Sequence, residues 1–484
     1  LWTNGFNYAM ESKNVGFDVR YTTDGPLFAN VGVSQKKEDG FKPTSTSLNQ
    51  RTNFVEIPEP IDYKTTDLTA GVGLRGDHFM VTVDGTYSEF KNAIESVRFQ
   101  NPFLATTQRL ETFSLPPDNK YLKGQVKGRW SDLPFDSTLT GGVGYSKLTN
   151  TVKIPTTITN NFTSGGTGTQ GGEIDLSNKI WKNGAVTDEF EGDVSYGDAN
   201  IGLASHPLHD LDTKLYVKYL RKWNNSSEIT FDDPADPTEE HPVTNHIFAY
   251  YKSNAGADAS YKLPWQTKVG GGYEYHNVTR QRHDAEETKD NILRASVRNS
   301  FLDFLTATVK YEKVDRKSKR NEEWALAEGS GSGVGYLNRY WRNFDATDKK
   351  QQKVSLGVNV TPLEELDINV QVEHKQAKYR EGELILGRTK DISSDLYGDI
   401  RYQFRDLFTV SVFGEYGNTR YYSSQWKNGS GSPGGNTERY NPSSAPDTAK
   451  YNWWSLTEDQ RWGYGAGVEV PLLEKKLNVN LDWE

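Results

Sequence analysis

The chain has 484 residues, a formal net charge of -9 and no cysteine. The missing thiols exclude disulfides, cysteine-ligated zinc, iron–sulfur clusters and covalent c-type haem attachment within this chain. The acidic balance argues against a nucleic-acid partner.

Hydrophobic residues make up 35% and mean hydropathy is -0.75. No run approaches the roughly 18 apolar residues of a membrane helix. Strands that cross a bilayer need only every second residue apolar, so low hydropathy does not exclude them. The 12 Trp and 26 Tyr suit a membrane–water interface, and the 44 Gly suit bends, crowded barrel positions and loops.

Alternation traces about nine hairpins in chain order. Val15, Phe17, Val19 and Tyr21 turn at Asp24-Gly25-Pro26 into Leu27, Ala29, Val31 and Val33. Leu68 to Leu74 turn at Gly76-Asp77 into Phe79, Val81, Val83 and Tyr87. Leu122 to Trp130 turn through Asp132-Leu133-Pro134 into Leu139 to Tyr145. Ile201 and Leu203 turn at His206-Pro207 into Leu215, Val217 and Tyr219. Ala255 to Tyr261 turn at Leu263-Pro264 into Val269 to Tyr275, and Leu293 to Val297 turn near Phe301 into Leu305 to Tyr311. Val354 to Val360 turn through Pro362 into Ile368, Val370 and Val372. Leu396 to Phe404 turn at Arg405-Asp406 into Phe408 to Tyr416, and Trp462 to Val470 turn through Pro471 to Lys475 into Leu477 to Trp483.

The segment Leu122 to Trp130 shows the pattern at its sharpest. Leu122, Gly124, Val126, Gly128 and Trp130 share one face, and Lys123, Gln125, Lys127 and Arg129 share the other. Repeated over strands of about nine to eleven residues, this predicts an all-β fold. It is a single large antiparallel transmembrane β-barrel domain over 1–484 with at least about 18 strands, lipid outside and a polar lumen.

The nine turns are short, whereas the links between hairpins are long and polar, at 35–66, 92–119, 150–189, 313–349 and 423–459. Outer-membrane barrels have short periplasmic turns and long outer loops, so the turns belong in the periplasm of a bacterial outer-membrane protein. Nine hairpins closed on the periplasmic side would begin and end outside. The expectation is therefore that terminal strands lie beyond this sequence and that the whole barrel exceeds about 20 strands, wide enough for an open lumen.

Parity also names the candidate lumen-facing contacts. They are Lys123, Gln125, Lys127 and Arg129; Lys268 and Glu274; Arg294 and Arg298; Asn369, Gln371 and Glu373; and Asp399, Arg401 and Gln403. From alternation alone, the preferred reading is that these line water, as in a porin.

Other signals are weaker. His206 and His209 flank Pro207 and suggest a solvated turn more than a metal site. Arg75-Gly76-Asp77 is a tight turn, not an adhesion tripeptide. The run 165–172 is Gly-rich but lacks the Lys-Ser/Thr of a phosphate loop. Asp232-Asp233 with Asp236, Glu239 and Glu240 could bind calcium at an outer loop, although a solvated loop is the default. No G-x-S-x-G and no H-E-x-x-H occurs, and no enzyme is expected.

The segment Tyr340-Trp341-Arg342-Asn343-Phe344-Asp345-Ala346-Thr347-Asp348-Lys349-Lys350 resembles the Y-x-x-x-D-x-x-D-K/R segments that precede a strand in decahaem-associated outer-membrane barrels of the MtrB/PioB type. The resemblance continues through Thr361-Pro362-Leu363-Glu364-Glu365-Leu366, Leu386-Gly387-Arg388-Thr389 and Trp454-Ser455-Leu456-Thr457-Glu458-Asp459-Gln460. It implies a sheath around a periplasmic multihaem c-type cytochrome, with a second, extracellular multihaem cytochrome at the outer loops. Haem c would then sit in the partners and not in this chain. This reverses the preference for a water-lined pore, which stays as the alternative function: a general porin or substrate-specific channel. Membrane lipid and lipopolysaccharide complete the expected partners. Some family members carry a Cys-x-x-Cys near the N-terminus, and this chain has none.

Overall fold

The computed structural model describes residues 8–47, 54–100, 110–154, 157–159, 173–175, 180–231, 243–282, 284–320, 341–379, 386–405, 407–426, 452–472 and 477–483. Among the described residues every regular element is a strand. The long ones are β1 (Met10–Thr22), β2 (Leu27–Ser47), β3 (Phe54–Arg75), β4 (Phe79–Asn92), β5 (Asn119–Leu133), β6 (Ser137–Lys153), β7 (Glu189–Leu208), β8 (Leu211–Asn224) and β9 (Tyr250–Leu263). They continue as β10 (Thr267–Arg280), β11 (Ala285–Leu302), β12 (Leu305–Arg320), β13 (Lys349–Leu363), β14 (Leu366–Tyr379), β15 (Leu386–Phe404), β16 (Phe408–Trp426), β17 (Asn452–Leu472) and β18 (Leu477–Trp483). The chain divides into two compact units. The first holds Leu1–Ser131, Thr140–Asn200 and Leu220–Tyr250, and the second holds Asp132–Leu139, Ile201–Tyr219 and Tyr251–Glu484.

In the first unit β1 to β5 form an antiparallel meander. Its registers place like on like. Val31 lies opposite Ala70, Val33 opposite Leu68 and Val72 opposite Val83; Val83 in turn lies opposite Val126, and Phe79 opposite Trp130. β-branched and aromatic residues fit this pleated surface, and a one-residue slip would carry the whole apolar set to the other face.

The second unit repeats the arrangement from β10 to β18. There Val358 faces Val370, Ile368 faces Ile400, Ile400 faces Val412 and Val412 faces Ala466.

These apolar belts are outward and bare. Val15 is 76% exposed, Leu122 60% and Trp462 74%. Exposed apolar surface on this scale requires an apolar surrounding. By contrast, the buried apolar cluster around Ile180 and Ile229 is small, with Ile154, Phe190 and Phe231 against it. The sheet therefore turns its apolar side to lipid instead of to a core.

Aromatic pairs mark both edges of the belt in the second unit, with Phe404 and Phe408 stacked at 5.1 Å near a turn and Tyr416 against Trp462 at 4.6 Å. From Phe408 to Tyr416 is about 26 Å of strand. At a tilt of about 40° that spans about 20 Å, close to the height of a barrel's apolar band.

The hairpins differ from expectation in two ways. The link expected over 35–66 is mostly strand, because β2 and β3 stay paired from Leu27 opposite Leu74 to Ser47 opposite Phe54. Residues 150–153, 313–320, 349, 423–426 and 452–459 are likewise strand. Within 92–119, Ser96–Gln100 pairs with Leu110–Ser114. Within 150–189, the short strands Thr157–Thr159 and Glu173–Asp175 pair, and Ile180–Lys182 pairs with Ala185–Val186. A backbone ladder needs hydrogen bonds and not alternation, so pairing continues where alternation fades. The turn expected at His206-Pro207 falls instead at His209-Asp210, because β7 runs on to Leu208. The runs 165–172 and 232–240 lie outside the described residues, as does Tyr340.

Candidate functional site

The candidate residues lie on the face opposite the belt, and in the second unit several are drawn into one network. Glu274 on β10 is 8% exposed. Tyr216 donates its hydroxyl to Glu274 Oε2 at 2.6 Å, and Asn254 Nδ2 donates to Oε1 at 2.7 Å. Arg294 Nη2 donates to the same carboxylate, and Arg294 Nη1 donates to the Tyr216 oxygen at 3.2 Å. The guanidinium also lies 3.5 Å from Glu312 and 3.8 Å from Asp258. A buried carboxylate is tolerable only when paired and hydrogen-bonded in this way. The register sets the geometry: Arg294 lies opposite Gly272 and Glu312. A Cβ at Gly272 would strike the Asp258 carboxylate, so glycine is what lets the two strands' side chains share the space.

Lys268 pairs with Asp212, which also accepts from His206 Nδ1 at 2.6 Å. His206 is thus tied to a carboxylate on the neighbouring strand. Among the described residues no three His, Asp or Glu side chains converge as a metal site.

A groove of about 480 Å³ runs past His206, Asp212, Asp258, Gly272, Arg294 and Lys353. A second, of about 550 Å³, is lined by Arg298, Asn369, Gln371, Glu373, Asp395 and Arg461. Glu373 accepts from Ser355 at 3.2 Å and lies 3.5 Å from Lys353, and Arg461 reaches Asp395 at 3.0 Å. Asp399 lies opposite Asn369, and Arg401 opposite Asp367. Gln403 donates to the Arg405 carbonyl at 3.2 Å, beside the turn. In the first unit Gln125 donates to Asp84 at 3.4 Å. There Lys123 lies opposite Thr86, Lys127 opposite Thr82 and Arg129 opposite Met80. Sequence reasoning missed Tyr216, Asn254, Asp258, Asp212 and Glu312. Parity could have found Tyr216, which falls out of phase with Leu215, Val217 and Tyr219 on β8.

The segment that carried the resemblance has a structural task of its own in the second unit. Arg316 forms a two-pronged pair with Asp290 at 2.7 and 2.8 Å, and donates to the Asp345 carbonyl at 2.8 Å. Arg282 grips Asp284 at 2.7 and 2.6 Å and also reaches the Asp345 carboxylate. Asn343 donates to Asp284 at 2.6 Å, and the Ser318 amide donates to Asp348 at 2.7 Å. The Arg388 guanidinium lies over Phe344 at 4.4 Å and over Tyr421 at 4.1 Å. Residues 343–348 are thereby latched to the loop-side ends of β11, β12 and β15. Burial opposes ionisation of Asp284, but hydrogen bonds from Arg282 and Asn343 outweigh it and hold the carboxyl below its ordinary range.

These geometries position polar groups along the wall. The model of the outer membrane beta-barrel porin family MtrB/PioB matches residues 4–484. Outer membrane protein MtrB of Shewanella baltica (strain OS185) is 21% identical over 500 residues, covering 99% of this chain. The chain spans 62% of that relative's length.

Among solved structures, the closed form of the ferric-catecholate import receptor Fiu from E. coli K12 aligns with a TM-score of 0.52 at 14% identity, over 98% of this chain and 70% of that one. A mutant of the ferric enterobactin receptor PfeA of Pseudomonas aeruginosa aligns at 0.51 and 10%, over 97% and 71%. At these identities the likeness concerns the fold alone. The chain therefore belongs to the MtrB/PioB family of outer-membrane β-barrel porins, with a large antiparallel transmembrane barrel fold and an integral outer-membrane location.

Proposed function

We propose that this barrel is a sheath, holding a multihaem c-type cytochrome in its lumen so that electrons cross the outer membrane through the partner's haems. A hydrocarbon core of about 30 Å is too wide for one useful electron hop, so a haem chain must enter the membrane and be shielded from lipid. The carrying observation is the polar face of the second unit. Its carboxylates are already paired, as in Glu274 with Tyr216, Asn254 and Arg294, and two grooves offer amide and charged groups to a protein surface. A preorganised polar wall of this kind can dock a soluble partner without leaving its own charges unmatched.

The protein then contributes position and insulation, the redox chemistry belongs to the partner's haems, and the barrel itself catalyses nothing. The single 1–484 barrel domain, the lumen contacts named above and an extracellular cytochrome at the outer loops belong to the same reading. The experiment is a visible absorption spectrum of the protein purified from its native membrane in mild detergent. A Soret band co-migrating with this cysteine-free chain supports the sheath.

The family's porin description favours a second reading, a water-filled channel. A colourless, homogeneous barrel that conducts ions in a planar bilayer would establish it and overturn the sheath.

A further inference from the structure

The two grooves on the polar wall of the second unit meet at Lys310 and Ser355, which line both. Lys310 lies on β12 between Val309 and Tyr311 of the belt, so it stands on the polar wall at belt height. Ser296 on β11 lies opposite it on one side and Ser355 on β13 on the other, with Gly270 on β10 opposite Ser296. Two residues along β11, Arg298 lies opposite Thr308. Arg298 and Lys310 are therefore diagonal neighbours, about 7–8 Å apart and within reach of two long side chains. Both are exposed.

The cations around this pair are matched by carboxylates of the chain itself. Lys268 pairs with Asp212 and Arg294 with Glu274, Lys353 lies 3.5 Å from Glu373, and Arg461 reaches Asp395 at 3.0 Å. Among the described residues Arg298 and Lys310 meet no carboxylate and make no hydrogen bond. Glu312, the next residue on that face of β12, lies 3.5 Å from Arg294 instead. Glu373, opposite Ser355, accepts from that serine. Acids are not scarce in the chain, at 65 Asp and Glu against 56 Lys and Arg. The two positions that flank Lys310 could each hold one, and both hold serine. A guanidinium, an ammonium and the hydroxyls of Ser296 and Thr308 thus surround a gap with no anionic acceptor.

We infer that Arg298 and Lys310 form a binding subsite for a carboxylate that another molecule brings into the lumen. The planar guanidinium suits the two oxygens of a carboxylate, and the ammonium and hydroxyls can donate to the same group. Arg294 with Glu274 and Lys353 with Glu373 show the same two cation types taking carboxylates on neighbouring strands. An anion in the gap also relieves the repulsion between two cations held side by side. Grooves of about 480 and 550 Å³ flank it and leave room for the group that carries the carboxylate. The wall beside it is low, built from Gly270, Ser296, Ser355 and Gly357. Only the identity of the carrier rests on the sheath reading: there it is the protein in the lumen, whereas in a channel it is a passing solute.

The test uses the full chain, as the isolated barrel in detergent and as the complex purified from its native membrane. An amine-acylating reagent is added, and the rate at Lys310 is read by mass spectrometry with Lys268 as the reference. In the isolated barrel, sodium succinate should slow acylation of Lys310 by about threefold or more relative to sodium chloride at the same ionic strength. Lys268 should not change, and Arg298→Gln should abolish the protection. Equal rates in succinate and chloride overturn the inference, as does stronger protection by phosphate than by succinate. In the native complex, carbodiimide coupling separates the two carriers. An amide joining Lys310 to a carboxyl group of a partner chain assigns the carboxylate to the protein in the lumen, and succinate protection without that amide assigns it to a solute. A colourless barrel in which succinate still protects Lys310 keeps the subsite and overturns the sheath. A haem-bearing complex whose isolated barrel shows no such protection keeps the sheath and overturns the subsite. The comparison of succinate with chloride on the parent chain decides the matter even if Arg298→Gln does not fold.

Discussion

The belt and the strand extensions beyond it are built from the same ladder by different means. In the belt, as at Leu122 to Trp130, every second side chain is apolar and meets lipid, so register is fixed by the cost of turning a valine inward or a lysine outward. In the extension, as at β2 beyond Gln35 or the ends of β11 and β12, the strands are held by ion pairs and capping contacts such as Arg316 with Asp290. The belt is stabilised by its solvent, and the extension by side chain meeting side chain. Substitutions in the two regions should therefore fail for different reasons.

The largest effect is expected where the extension depends on one buried pair. Arg316 is 16% exposed and Asp290 7%, and Arg316→Met removes the aspartate's guanidinium partner and the donor to the Asp345 carbonyl. A loss of about 3–5 kcal/mol should appear in urea unfolding from lipid vesicles, together with faster proteolysis near 343–348. Val370→Lys places a charge at mid-belt and should cost about 2–4 kcal/mol in the same assay, with residues 343–348 still protected. If both variants fail in the same way, the contrast between belt and extension is wrong. On the polar wall, Tyr216→Phe removes one donor from Glu274 and should cost about 1–3 kcal/mol, read as a lower unfolding midpoint with the barrel still inserted.

Acid sharpens the comparison. Asp284 is held below the ordinary carboxylate value, so its contribution to the latch is complete above about pH 3.9 and is lost as pH falls through its folded value. The Ala285 amide donates to Asp284 Oδ1 at 3.0 Å, and its hydrogen-exchange protection factor should fall on acidification below that range while belt amides keep theirs. The smallest effect is Lys127→Gln, on the polar face and with only space to lose, expected within about 0.5 kcal/mol.

The belt was legible in the sequence because lipid imposes a period of two. Leu122 to Trp130 reads as a strand with no knowledge of its neighbours, and the turn at Gly76-Asp77 follows from the same pattern. The extension was not legible, because the Ser47–Phe54 end of the β2–β3 hairpin alternates weakly and its pairing is set by its neighbour's backbone. The polar wall was half legible. Parity placed Glu274 and Arg294 on one side, but their meeting depends on Gly272 lying opposite Arg294, a register that no single strand reveals. The segment from Asn343 to Asp348 stood out as a family pattern, yet its grip on Arg282, Arg316 and Ser318 is made to the β10–β11 link and to β12, which its own sequence does not reveal.

The absence of cysteine makes the decisive measurement simple. Single cysteines placed in turn at positions 368 to 373 of β14, in the native complex and in the isolated barrel, are tested with a water-borne thiol reagent and a lipid-borne quencher. The account predicts a period of two, with 368, 370 and 372 quenched by lipid in both states. Positions 369, 371 and 373 should label from water in the isolated barrel and be shielded in the native complex. Labelling without that period would contradict the fold assignment. A clean period with 369, 371 and 373 equally open in both states would contradict the sheath.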